Sequence, residues 1–371
     1  MIKLLIGGSP CTYWSISQKN GRETEASGMG WELFKNYLLA KQKFAPDFFL
    51  YENNKSASQA IKDQISQELG VSLTYINSAL VSAQNRQRFY AFNWNVEQPE
   101  DRGILLREVL EDADEIPDAV GIGYRGRMDE GKWVKRYESN CQPKANALTT
   151  ARTDSMVCSP LRVGTLPNKY GEMKDAQATR IYGIDAKSVN LVANGGGQGA
   201  KTGLYAYRVC EPNDNTYEVK DGLITIHGKQ YPIKLDDGYY IIRKLSVVEC
   251  CRLQTLPDDY CRVVSNAQAY KCLGNGWTAE VIIHILNGVL KDVPRDEEIV
   301  VLSMYDGIGT GRYCLDRMGF TNVKYYAYEI DKYAMQVALS NYPDIIHLGD
   351  AFKLRDPNWS IENELSTLVA Q

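Results

Sequence analysis

At 371 residues the chain is too long for one small domain and fits about two of roughly 100–200 residues each. With 44% hydrophobic and 24% charged residues its composition is globular, which excludes a disordered, collagen-like or coiled-coil chain, and no apolar run approaches the ~20 residues of a membrane helix. A net charge of -4 does not point to nucleic acid, but a basic face can sit on an acidic protein, so that class stays open.

The N-terminus, MIKLLIGGSPC, has one Lys and a very short apolar stretch. It reads as a buried strand over residues 2–6 ending at a Gly-Gly-Ser-Pro turn, not as a secretory signal. Residues 28–43 predict a helix with Trp31, Phe34, Leu38 and Leu39 on one face. Residues 47–51 predict a second strand, 56–69 a helix, and 72–80 and 87–94 two further strands. From about 121 to 265 turn residues dominate, and 216–242 alternates with Asp-Gly and His-Gly signals that predict hairpins. The α/β alternation then returns. A helix is expected over 278–290, a polar linker over 291–298, strands at 299–305, 324–329 and 345–350, and a helix at 331–342. Strands alternating with helices imply a doubly wound parallel α/β sheet, with a second, mostly β domain between its two parts.

Nine cysteines lie at scattered spacings and the three histidines (His227, His284, His347) are far apart. No pair has zinc spacing, so no metal is expected, and the thiols read as reduced in a cytoplasmic protein. Most of these cysteines read as small buried hydrophobes. Cys11 differs: it follows a strand end and Pro10, which fixes φ and aims the next side chain, so it is a candidate nucleophile as well as a candidate core thiol. Glu52-Asn53 closes the next strand. Arg86 and Arg88, one residue apart in QNRQR, can project to one side, or can be solvated surface residues. DGIGTG joins a strand to a helix with Gly307, Gly309 and Gly311 in GxGxG spacing, and Arg312 stands where a dinucleotide fingerprint has its third glycine. That favours a methyl-donor site over a dinucleotide site, with a plain βα turn as the alternative. Asp306, Glu329 and Asp350 each sit at or just past the carboxyl end of successive strands. Taken one by one they could be helix caps; together they fit a nucleoside-containing cofactor.

GGSPC, the Glu52-Asn53 pair, QNRQR, RKLSVVECCRLQTLPDDY (243–260), YKCLGNGWTAEVI (270–282) and VLSMYDGIGTG (301–311) together resemble the DNA (cytosine-5) methyltransferase family. The motifs run through nearly the whole chain apart from the middle segment. The family's order usually starts with the DGIGTG strand; here that block comes last and the Pro-Cys block first, so the chain resembles a circularly permuted member.

The resemblance implies roles residue by residue. Cys11 would attack C6 of cytosine. Glu52 would contact N3 and the exocyclic amine, Arg88 would hold O2, and Arg86 would support it. S-adenosylmethionine is the implied cofactor, held by Tyr305 (where the family usually has Phe), Asp306, Gly307, Ile308, Gly309, Gly311, Glu329, Asp350 and Asn275. The polar stretch 12–30 resembles the family's mobile loop, with Ser15 and Ser17 at positions that touch DNA. The middle segment resembles the target-recognition domain, and 190–205 its glycine-rich recognition segment, with Gly196 and Gly197 as DNA contacts. Asn190-Leu191 stands where Thr-Leu is usual, and Thr149 and Thr150 lie nearby without an assigned role. Glu249 and Arg252 are expected to be scaffold. The implied organisation is a catalytic domain in two parts, 1–120 and 266–371, with recognition over 121–265. The implied partner is double-stranded DNA, bound by a monomer. An RNA cytosine methyltransferase, an inactive DNA-binding module and a nicotinamide dehydrogenase are the alternatives. The glycine-rich recognition segment argues against the first, the presence of Cys11, Glu52 and Arg88 against the second, and the GxGxG spacing with the Pro-Cys block against the third. An amino-methyltransferase would show a DPPY-like tetrapeptide, and none is present.

Overall fold

A computed structural model describes the chain except for residues 16–20, 112–120, 130–131, 141–161, 168–171, 174, 177–178, 192–202, 210–211, 227 and 370–371. Ser17, Thr149, Thr150, Gly196 and Gly197 therefore lie outside the described residues.

Two seven-stranded sheets organise what is described. The first is built from both ends of the chain. From the N-terminal part come β1 (Ile2–Gly7), α1 (Gly28–Phe44), β2 (Phe48–Asn54), α2 (Gln59–Leu69), β3 (Thr74–Asn77) and β4 (Gln87–Phe92). In spatial order its strands run from the C-terminal part through β1 and β2 to β4 and β3. β1 lies at the centre, parallel to β2 on one side and to the strand at 299–304 on the other, with Leu4 opposite Val301 and Phe48. Two strands from opposite ends of the chain, 2–7 and 299–304, are thus direct neighbours. The strand is apolar throughout because both faces are covered: Leu4 and Ile6 enter one core cluster and Leu5 the other.

Several expectations change in detail. β4 runs antiparallel to both β2 and β3, so the sheet is not wholly parallel. The strand expected over 72–80 is shortened to β3, and residues Ser78–Leu80 form a 3-10 turn that the Asn77 side chain caps. The helix expected from residue 56 starts at Gln59, because the Ser58 hydroxyl accepts the Ile61 amide as its cap. In α1 the buried face is Trp31, Phe34, Tyr37, Ala40 and Phe44; Leu38 and Leu39 are only half-buried.

The middle of the chain supplies β5 (Gly121–Asp129) and β6 (Lys132–Asn140), which pair with each other as a two-stranded sheet, and then the second sheet. Its strands are β7 (Arg162–Thr165), β8 (Arg180–Gly183), β9 (Leu204–Val209), β10 (Thr216–Lys220), β11 (Leu223–Ile226), β12 (Lys229–Pro232) and β13 (Gly238–Arg243). The expected hairpin turn at Asp221-Gly222 is there, both residues having positive φ (53° and 70°) as a two-residue hairpin loop demands. Alternate residues of this sheet face two different cores. Ile181, Ala206, Val219 and Ile224 form the sheet's own cluster, whereas Tyr182, Tyr205 and Tyr207 pack into the core of the first sheet. The segment after β8 is bound to the first sheet's loops by main chain: Ser188 N donates to Ala83 O, Asn85 N to Ser188 O, Leu106 N to Ala186 O and Arg107 N to Ile184 O.

The chain then forms α3 (Val247–Leu253), α4 (Asn266–Asn275) and α5 (Ala279–Leu290). β14 (Ile299–Met304), α6 (Thr310–Arg317), β15 (Val323–Tyr328), α7 (Lys332–Asn341) and β16 (Ile346–Gly349) follow, and then α8 (Ile361–Val369). β14, β15 and β16 complete the first sheet outward from β1. α4 to α7 cover one face of that sheet and α1 and α2 the other, the doubly wound arrangement expected. Among the described residues no helix is long and apolar enough to cross a membrane.

Glu249 and Arg252 are scaffold residues. Glu249 is fully buried and accepts from both Arg243 Nη atoms (2.6 and 2.8 Å) and from the amides of Ser246 and Glu111. Arg252 makes a two-pronged pair with Asp258 and donates to Val109 O and Leu110 O. Glu249→Ala leaves Arg243 and two amides without their acceptor, so urea denaturation should register a loss of about 3–5 kcal/mol. Arg252→Ala, whose ion pair is solvent-screened, should lose clearly less.

Candidate active site

The site starts with two glycines. β1 is flanked so closely that a Cβ on Gly7 would run into the Met304 carbonyl of β14, and one on Gly8 into the Glu52 carbonyl of β2. Gly7 also has φ +147°, which L side chains rarely adopt. Beyond them Ser9 is buried, its hydroxyl 2.7 Å from the Tyr51 hydroxyl and its carbonyl accepting from Asn53 Nδ2 at 2.8 Å. Pro10 (φ -51°) then leads into a 3-10 turn at Cys11, whose carbonyl accepts the amides of Trp14 and Ser15. Trp14 is fully buried and its indole N–H donates to Glu23, which in turn accepts the Gly30 amide at the start of α1. The stretch expected as a loop over 12–30 is therefore anchored at both ends, and α1 takes its last three residues. Ser15 Oγ lies 3.4 Å from Asn54 Nδ2.

Cys11 is half-buried, while the other described cysteines are buried. Desolvation is the largest influence on its thiol and pushes its pKa up; Arg88 and then Arg86 pull it down, and Glu52 pushes it up. The resting thiol is therefore protonated at neutral pH.

Glu52 and Arg88 form an ion pair, Arg88 Nε to Glu52 Oε1 at 2.9 Å, with side chains only 13% and 9% exposed. The antiparallel register of β2 and β4 sets Arg88 beside Asn54, two residues from Glu52. Trp277, just after α4, donates its indole N–H to Glu52 Oε2 at 3.0 Å. Arg86 is different from its neighbour. It is 3% exposed, and its guanidinium donates to Asn190 Oδ1 and Leu191 O in the segment after β8 and to Gly274 O and Gly276 O at the end of α4. Burial first, and Arg88 second, lower its pKa to about 9, so it keeps its charge at neutral pH. Asn190, where Thr is usual in the family the motifs resemble, thus joins the two sheets. Trp277 and Asn190 are the members of this cluster that sequence patterns did not assign.

The candidate cofactor residues surround the end of β14. Tyr305 has φ +58°, an outlier for a bulky residue, and is held there by hydrogen bonds of its hydroxyl to Leu33 O (2.7 Å) and Asn36 Nδ2 (3.3 Å). Asp306 Oδ1 accepts from Ser303 Oγ and Tyr325 OH, both at 2.6 Å; among the described residues its buried Oδ2 has no well-formed hydrogen bond, and desolvation raises the pKa of the carboxyl against the pull of Ser303, Tyr325 and the Gly309 amide. Gly307 has φ +66° and open space where a Cβ would be. Ile308 is buried and its carbonyl accepts from the buried Tyr260 hydroxyl, the last residue of the PDDY segment. Gly309, in left-handed conformation, starts α6. Gly311 does something else: its missing Cβ makes room for Ile6 and Tyr325, so it packs α6 on the sheet. Glu329 Oε2 accepts the Gly307 amide at 2.9 Å, and its Oε1 accepts the amides of Ile330 and Asp331. Asp350 is exposed at the end of β16 and caps the 3-10 turn Ala351–Arg355. Asn275, the last residue of α4, is exposed and its side chain makes no hydrogen bond among the described residues. Among the described residues no cluster of His, Cys, Asp or Glu could hold a metal ion.

A half-buried thiol, a clamped carboxylate and a glycine turn flanked by acids all lie at the carboxyl edge of one α/β sheet, which defines an enzyme site. The chain matches the family model for C-5 cytosine-specific DNA methylases over residues 1–291, and it belongs to that family: it is a DNA (cytosine-5)-methyltransferase. Members of the family methylate cytosine C5 in DNA and use S-adenosylmethionine. The match stops before β14. No curated protein matches the chain.

Because burial raises the Cys11 pKa and Arg88 is the largest influence opposing it, alkylation of Cys11 by iodoacetamide should follow a titration above that of a free cysteine. Arg88→Ala should move it higher still. Peptide-level mass spectrometry across pH measures both.

Proposed function

We propose that the chain methylates C5 of cytosine at a specific sequence of duplex DNA through a covalent bond between Cys11 and C6. The observation that carries this reading is the pairing of Glu52 with Arg88 beside a half-buried Cys11, with all three brought to one edge by β1, β2 and β4. C5 of cytosine is a poor nucleophile until C6 carries an adduct, and the base must leave the stack to meet a half-buried thiol. The Cys11 thiol gives up its proton and its sulfur bonds C6. Glu52 hydrogen-bonds N3 and the exocyclic amine while Arg88 holds O2, which spreads the electron pair released towards C5. When bound, S-adenosylmethionine supplies the methyl group that C5 takes up. The C5 proton then leaves, the C5–C6 double bond re-forms and Cys11 departs as thiolate.

The residues around β14 fit that cofactor. Among the described residues Asp306 Oδ2 is a buried acceptor with no well-formed hydrogen bond, suited to a cationic amino acid portion, and the turn at Gly307 is open where a side chain would stand. Tyr305, Asp306, Gly307, Ile308 and Gly309 would line it, Glu329 would take the ribose hydroxyls, Asp350 would lie near the adenine amine, and Asn275 would close the pocket. Gly311 would act through packing. Residues 121–265 would serve target recognition, with Ser15, Ser17, Gly196 and Gly197 reaching the DNA.

We also read the chain order as a circular permutation. Counted from β14, the first five strands lie in the spatial order 3-2-1-4-5 of doubly wound folds. The switch point then falls between β14 and β1, where Asp306 and Cys11 flank it. Residues 291–298 would be the join between the usual termini. Most of them are exposed, but Arg295 donates to the carbonyls of Leu290, Lys291 and Val293 at and just past the end of α5.

DNA carrying 5-fluorocytosine at the methylated site should trap a covalent adduct in the presence of S-adenosylmethionine, since the fluorine cannot leave as a proton does. Cys11→Ser should give neither adduct nor methylation while binding the cofactor; an adduct on another residue would sink the assignment. A chain reopened within 291–298, with residue 371 tied to residue 1 by a flexible linker, should methylate the same site. A re-ordered chain that folds but does not bind the cofactor would count against the permutation.

A further inference from the structure

Trp277 approaches Glu52 from the far side of the sequence, 225 residues on, and takes the carboxylate oxygen that Arg88 leaves. The turn that carries it is held on both sides by buried polar groups. Arg86 donates to Gly274 O at 3.2 Å and Gly276 O at 2.8 Å. Gln254, fully buried, donates to Leu273 O at 2.6 Å and Gly276 O at 3.3 Å, and accepts from the hydroxyl of the buried Thr278 at 2.8 Å. A main-chain bond from Ala279 N to Gln254 O at 3.0 Å closes the arrangement. The indole is thus presented from a backbone fixed before and after it. Such support suits a group whose task is orientation.

The chemistry of the two partners points the same way. An indole N–H only donates and does not titrate near neutral pH, so it has no part in proton transfer. Each oxygen of a carboxylate can accept about two hydrogen bonds. Among the described residues one donor meets each oxygen, Arg88 on Oε1 and Trp277 on Oε2, which leaves one further position on each and fixes the plane in which those positions lie. We infer that Trp277 is a positioning residue that sets the plane of the Glu52 carboxylate towards the target cytosine. The inference rests on the reading of Glu52 as the acid that contacts the base.

Trp277→Phe keeps a ring in place and removes the N–H. On DNA whose methylated site has been located by bisulfite sequencing, kcat should fall roughly ten- to a hundredfold, the loss expected for a hydrogen bond to a charged group. KM for DNA and affinity for S-adenosylmethionine should stay within about twofold, since by this inference the contact orients Glu52 and is not itself a binding contact. Replacing Trp277 with its benzothienyl analogue, sulfur in place of N–H, preserves the bicyclic shape and should give the same loss if the phenylalanine variant folds poorly. The deciding measurement is the rate of adduct formation on 5-fluorocytosine DNA in Trp277→Phe, in Glu52→Asp, which withdraws the carboxylate from the indole, and in the double variant. The Trp277 change should cost little further once Glu52 is shortened. Fully multiplicative losses, or a raised KM with kcat intact, would overturn the inference. If Glu52→Asp alone leaves the rate unchanged, the reading of Glu52 falls and takes the inference with it; multiplicative losses with a slow Glu52→Asp enzyme would refute the role of Trp277 alone.

Discussion

The site depends on how tightly β1 is enclosed. A strand with neighbours on both sides, and a core on both faces, has one direction in which to release its chain: forward, past its carboxyl end. Gly7 and Gly8 exist because Met304 on one side and Glu52 on the other leave no room for a side chain. The same close approach that forbids a Cβ brings the ends of β14 and β2 to the thiol. The glycines are therefore less a flexible turn than the imprint of the two strands pressing on a third, and they tie the end of β14, the Glu52 carboxylate and Cys11 into one rigid unit.

Around that unit the charges are arranged in an asymmetric way. Two guanidinium groups lie within electrostatic reach of one thiol and one carboxylate, but Arg88 has the carboxylate as its partner whereas Arg86 is bound to four neutral oxygens. Uncompensated buried charge is unfavourable, and the depressed pKa of Arg86 registers it. Its charge lowers the Cys11 pKa, against a larger opposing influence from Glu52. Arg86 thus fastens three chain segments, and it also pulls the Cys11 pKa down, though less than Arg88 does and not enough to offset burial.

Much of this was legible in the sequence, for physical reasons that also mark the limits. Strands buried on both faces must be continuously apolar, so IKLLI and IVVLSM announce themselves, and turn residues at strand ends flag the edge where ligands bind. Periodicity carries no direction, so nothing in QRFYAF reveals that β4 runs antiparallel. The buried face of α1 was partly misjudged because Leu38 and Leu39 are more apolar than Asn36, which is buried through its bonds to Tyr305 and Arg355. The helices α3 and α4 hide in polar, cysteine-rich text. Spacing in QNRQR suggested that Arg86 and Arg88 act as a pair, whereas their partners, more than a hundred residues away for Arg86, send them to different tasks. Trp277 was missed for the same reason. A tryptophan at the mouth of an apolar helix reads as core, and its one polar bond is made to a residue near the other end of the chain.

The three tyrosines on the inner face of the second sheet carry a consequence for how such enzymes diversify. Tyr182, Tyr205 and Tyr207 are at once members of the middle sheet and filling for the core of the first, and the main-chain ladder from Ile184 to Ser188 adds a seam of hydrogen bonds between the two. The middle sheet is not a free cartridge. A lineage can rewrite its outer face and loops with little penalty, but an exchanged sheet has to arrive with side chains of matching volume on its inner face and a backbone that continues the seam. Variation is thereby channelled into the loops and the outward residues, while the inner face stays under the same packing constraint as the core of the first sheet.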